Sequence, residues 1–233
     1  MQRDFAKGYL EIDFASAPFD SAPRLLARSA ALFFGSLPRL AAITLIVFLP
    51  GKFVLQWLGP EDGVWSYAVS AASDLVLGAL AAPAIVYLLV GKLRTGRAAP
   101  IGESLRWGWR WWGKSLWNGF KMQVTVALWG LLLIVPGVVA AVRLAFTDVV
   151  VGVEGSNTSD VLGRSREISN GHGWRIFFVL AVLGLVELLA WGGTLRLRLG
   201  MALTDTLLAL LSQWTLTAAL LMYLGITRAS ARP

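Results

Sequence analysis

The 233 residues contain no cysteine and a single histidine, His172. Disulfides, thiolate metal sites and cysteine nucleophiles are therefore excluded, and one imidazole cannot build a histidine-rich metal centre. No metal and no other cofactor is expected. Charge is scarce as well: 15% of residues are charged, against about 25% in a soluble domain. Glycine-rich phosphate loops are missing, because Gly91-Lys92 and Gly113-Lys114 lack the flanking spacing. No pair of carboxylates clusters on one candidate helix as an acid and base would. Together these absences exclude an ordinary soluble enzyme, a disordered tail and a disulfide-stapled secreted domain. A non-catalytic protein is expected.

What the chain has in excess is apolar residues, 56% of the total. They fall into six blocks, over about 37–58, 65–90, 117–135, 138–153, 174–193 and 202–226. Each reaches or approaches the roughly 18 residues that read as a membrane span. Pro50-Gly51-Lys52 interrupts the first block. A single helix over 117–153 would be about 55 Å long, far more than a bilayer needs, so Pro136-Gly137 predicts a hairpin turn. The expected fold is all-α: a polytopic membrane domain over 22–233, following an N-terminal cytoplasmic segment over 1–21. Its six transmembrane helices are expected as three hairpins.

The formal charge of +7 takes its meaning from its distribution. With the N-terminus inside, every Lys and Arg except Lys52, Arg143, Arg196 and Arg198 falls in an inner segment. Such a bias predicts that both termini face the cytoplasm, and it makes nucleic acid an unnecessary partner. The first residues carry acids and no apolar core, so the first span is expected to direct insertion. Arginine-rich, alanine- and glycine-rich composition fits a GC-rich bacterial genome, and a multi-pass protein of the bacterial inner membrane is expected.

A weak internal repeat is present. Leu26, Arg28, Ser29, Gly35 and Arg39 match Leu162, Arg164, Ser165, Gly171 and Arg175 without a gap, and each segment precedes a span. Arg106 and Gly113 give a fainter third copy. The repeat predicts a short amphipathic in-plane helix before each hairpin. In the second unit Leu105, Trp109, Trp112 and Leu116 share a face, beside a stripe of Arg106, Arg110 and Lys114. Trp109 and Trp112 with those three cations form a candidate lipid-surface helix, with anionic headgroups as its partner. The alternative is that such helices simply pack under the bundle. In the third unit Gly171 is placed to end the helix.

Charges inside the spans are the next candidates. Arg143 lies about 10 Å below the turn at Pro136, and Asp74 about 14 Å below Trp65. Similar depth makes Asp74 and Arg143 a candidate ion pair, either locking two hairpins together or lining a polar path. Glu187 and Asp205 fall near the outer surface, Glu154 at the inner one, and Asp148 about a turn beyond Arg143. His172, between two glycines, is expected as a solvated loop residue.

Residues 134–180 carry a recognisable pattern: Pro136-Gly137, Arg143, Phe146, an apolar run ending at Glu154-Gly155, then Leu162, Arg164-Ser165, Gly171 and Trp174-Arg175. It resembles the membrane domain attached to some bacterial glycerophosphoryl diester phosphodiesterases and related stand-alone six-helix proteins. The resemblance departs at Gly163 and Arg166-Glu167. It implies a fold and a membrane location. The phosphodiesterase activity of the fused relatives resides in a separate soluble barrel with histidine acid/base residues, so that activity is not expected of these residues. The function expected first is a non-catalytic scaffold, accessory subunit or lipid-interacting module with a membrane-protein partner. A small-molecule or lipid transporter using the charged positions comes second, and a membrane-embedded enzyme last.

Overall fold

The computed structural model describes residues 21–58, 64–196 and 201–230, and every regular element among them is helical. In chain order these are α1 (Ala22–Phe34), α2 (Leu37–Leu58), α3 (Val64–Thr95), α4 (Ile101–Leu132) and α5 (Ile134–Arg143). They are followed by α6 (Thr147–Glu154), a 3-10 turn (Gly155–Asn157), α7 (Val161–Ser169), α8 (Gly173–Arg196) and α9 (Met201–Ser230). Most of the expected N-terminal segment, and Arg198 with its loop, lie outside the described residues.

Among the described residues five segments are long and apolar enough to cross a membrane: Leu37–Leu55, Ala68–Thr95, Ile134–Glu154, Gly173–Gly193 and Leu203–Arg228. Large apolar side chains cover the outside of the bundle, Leu131 at 87% and Ile134 at 80% exposure among them. A surface of that kind suits lipid and not water. Inside, one continuous core joins Phe33 of α1, Ile43 of α2 and Ile85–Leu89 of α3 to Phe146, Val150, Leu183 and Tyr223.

Three sequence expectations change. Pro50 does not interrupt α2, which runs through it to Leu58. A proline deprives the helix of one donor, which a packed membrane bundle tolerates. Gly51 also serves packing, since a Cβ there would meet Leu77 Cδ1 at 2.9 Å. The break expected at Pro136-Gly137 falls at Leu133, whose backbone is extended between α4 and α5. Pro136 instead sits in the first turn of α5, where no intrahelical donor is needed. Gly137 lets the two helices touch, because its Cβ would lie 2.6 Å from Gly130 Cα.

Third, the in-plane helix expected around Ser104–Lys114 is not a separate element: α4 runs unbroken for 32 residues, about 48 Å. Its buried face is made of Ser104, Gly108, Ser115, Asn118 and Gly119, not of its tryptophans. Small residues at that spacing let α3 and α4 pack backbone to backbone along their length. A Cβ on Gly108 would meet the Leu80 carbonyl oxygen at 2.5 Å. Short helices do precede two of the long ones: α1 before α2, and α7 before α8.

Candidate functional site

Two residues of the motif, Gly155 and Arg164, meet a third, Glu154, at the end of α6. Its carboxylate is only 10% exposed and is saturated with donors. Tyr223 Oη donates to Oε1 at 2.6 Å, Arg164 Nε donates to the same oxygen at 3.2 Å, and the Thr158 hydroxyl donates to Oε2. Gly155 follows with φ +53°, its Cα packed against the Trp111 ring, so a side chain has neither the conformation nor the room. Lys114 reaches from α4 to the Gly155 and Thr158 carbonyls. Burial pushes the Lys114 ammonium below its ordinary range, against the upward pull of Glu154. Arg164 also pairs with Glu167 at 2.7 Å, which together with Glu154 holds its guanidinium further up. Every strong acceptor here already has a donor, so the cluster acts as a clasp between α4, α6, α7 and α9.

Ser165 extends the clasp to the break between α5 and α6. Its hydroxyl donates to the Arg143 carbonyl at 3.0 Å and accepts the Phe146 N–H at 3.2 Å, and Ser169 donates to the same carbonyl. The break frees those backbone groups, and α7 satisfies them. The repeat partner Ser29 is likewise fully buried and accepts the Trp214 indole N–H at 2.9 Å. Gly171, φ +76°, follows the end of α7 in the left-handed region, and Trp174 is exposed and stacks on Phe177. Leu162 packs on the core from α7.

The proposed Asp74–Arg143 pair is not formed. Asp74 Oδ1 lies 2.7 Å from Lys52 Nζ, which also meets Asp205 Oδ2 at 3.0 Å. The unbroken α2 explains this: Lys52 stays helical, turns inward and is 3% exposed. Arg143 points outward from the α5–α6 break and takes part through its carbonyl.

A cavity of about 520 Å³ opens between α2, α3, α4, α6, α8 and α9. Four carboxylates line it: Asp74, Asp148, Glu187 and Asp205. Its lining on α9 runs from Asp205 to Ala219, about 21 Å along the helix axis. Lys52 neutralises part of the Asp74 and Asp205 charge, and Thr215 donates to Glu187 at 2.7 Å. Asp148 receives no hydrogen bond or ion pair from any described residue. Ser115, 1% exposed, lines the cavity with an unpartnered hydroxyl. Sequence reading treated Glu187 and Asp205 as surface charges and set Asp148 aside. The overlooked signal was helical spacing, since Asp205, Leu208, Ala209, Ser212, Leu216 and Ala219 share one face of α9.

The lipid-surface stripe divides. Arg106, Trp109 and Arg110 are exposed, and Trp109 stacks on Trp112 at 5.5 Å. Trp112 turns partly inward, its indole N–H donating to the Val76 carbonyl at 3.0 Å, and Lys114 belongs to the clasp. His172 sits in the turn before α8, its Nδ1 3.0 Å from the Asn170 carbonyl. Among the described residues no three His, Asp or Glu side chains converge as a metal site would require. No family model, curated protein or solved structure matches the chain.

Proposed function

We propose that this protein binds and passes a small solute across the bacterial inner membrane, through the cavity between α2, α3, α4, α6, α8 and α9. In this reading the C-terminal half of α4 supplies a sixth span, both termini are cytoplasmic, and the protein performs no covalent chemistry. One observation carries the reading: four carboxylates line a cavity of about 520 Å³ in a largely apolar bundle, and Lys52 pairs with two of them. Ionisable groups inside a membrane are costly, and they persist where a path or a ligand needs them. The cavity volume falls in the range of about 300–1,000 Å³ common for small-molecule sites. Its length covers about two-thirds of a hydrocarbon layer roughly 30 Å thick.

A second reading, a non-catalytic scaffold or accessory subunit seated on anionic lipid, draws on the exposed Arg106, Trp109 and Arg110 of α4. The motif likeness to membrane domains fused to phosphodiesterases supports membrane location under either reading. Native extraction into lipid nanodiscs, followed by mass spectrometry, separates the two. Retention of a small molecule supports solute binding. A stoichiometric protein partner with no retained solute supports the accessory reading and counts against the first.

A further inference from the structure

We propose that the ligand of the cavity is an organic cation, an amine with an apolar body, whose ammonium is held by Asp148 with the Ser115 hydroxyl as a further acceptor. The inference rests on the solute-binding reading and adds the chemical class. Charge comes first. Among the described residues four carboxylates line the cavity, and Lys52 is an ion-pair partner of Asp74 and Asp205 only. Glu187 has the Thr215 hydroxyl. Asp148 has nothing among the described residues, and an unpaired carboxylate in an apolar bundle calls for a cation.

Ser115 is the independent observation. Its hydroxyl is buried and lacks a partner, although serines facing neighbours elsewhere in the bundle, Ser29 and Ser165, are bonded. A buried hydroxyl without a partner is costly unless a ligand supplies one, and an N–H of an ammonium does so.

Size and lining separate an organic cation from a metal ion. No three acidic side chains converge among the described residues, so the carboxylates do not enclose a point charge. They are spread along an elongated cavity whose walls include Phe48, Leu75, Met122 and Leu180. Such walls favour a carbon skeleton over a hydrated ion. Lys52 then acts as a resident cation at the Asp74–Asp205 end, leaving Asp148 as the free anionic position.

The test uses the full chain in nanodiscs and radiolabelled 2-phenylethylamine, with 2-phenylethanol and phenylacetate as the neutral and anionic counterparts. Saturable binding of the amine alone is expected. Asp148→Asn, which keeps the shape, weakens it about tenfold or more, and Ser115→Ala weakens it severalfold. Circular dichroism and gel filtration of both variants establish that the fold is kept. Equal binding of all three probes, or an unchanged affinity in Asp148→Asn, overturns the assignment. If phenylacetate or phenylethanol binds saturably and Gly119→Trp in the cavity wall abolishes it, solute binding stands and the cationic class falls. If no probe of any charge binds saturably, both proposals fall.

Discussion

The Tyr223 phenol, wholly buried on α9, donates to Glu154 Oε1 at 2.6 Å and joins helices 69 residues apart in sequence. A carboxylate that far from water depends on each of its donors. Tyr223→Phe keeps the ring and its packing near Phe146 while removing one donor. It is expected to cost about 1–3 kcal/mol in unfolding measured in a mild detergent. An unchanged midpoint would show that Glu154 does not need the phenol.

Lys52 and Asp74 are expected to be energetically coupled. Single replacements Lys52→Met and Asp74→Asn, with the double variant, should give a coupling energy of about 0.5–3 kcal/mol. Because Asp74 is half exposed, the lower part of that range is expected. The same cycle on Asp74 and Arg143 should close to within about 0.5 kcal/mol. A larger coupling for the second pair than for the first contradicts the geometry described.

Two glycines of α4 should respond in opposite directions. Gly108→Leu forces atoms into the Leu80 carbonyl and should destabilise the α3–α4 pair by about 1–3 kcal/mol or more. Gly113 is exposed with open space around its Cα, so Gly113→Ala should stabilise by up to about 1 kcal/mol. Chemical unfolding in the same detergent checks both. Similar effects from the two would argue against a tight small-residue interface.

Lys114 carries a pH signature of definite sign. Burial lowers its pKa from the ordinary value of 10.5, so the folded state sheds the proton before the unfolded chain does. Between the two values the unfolded state binds more protons, and stability rises with pH there. Below that window the fold bears the cost of the buried charge. Thermal midpoints at a series of pH values from 7 to 10 should show this alkaline gain in the native chain relative to Lys114→Met. A native profile parallel to that of the variant would remove Lys114 as the cause.

The sequence showed the apolar blocks, the helical class and the positions of α1 and α7, because hydropathy and spacing are local signals. It misplaced what depends on neighbours. Pro50-Gly51 looked like a chain break, yet the bundle absorbs it, and this carried Lys52 from the expected surface to the interior. Pro136-Gly137 looked like a turn, yet Gly137 is there for contact with Gly130. The tryptophans of α4 dominated its pattern, while Ser104, Gly108, Ser115 and Gly119 carry its packing. The cavity escaped notice because its polar residues come singly from separate helices, and only their shared faces relate them.

The two serines of α7 also bear on the order in which the protein is made. Until Ser165 and Ser169 leave the ribosome, the Arg143 carbonyl and Phe146 amide have no hydroxyl to meet them, and these serines follow Arg143 by 22 and 26 residues. At about 5–20 residues per second that delay is roughly one to five seconds. During it, Ile134–Glu154 is a span with polar backbone open at its middle, so the nascent segment stays near water or the insertion machinery. Release into lipid then waits for the segment that follows, and the chain closes its membrane domain from a downstream position back to an earlier one.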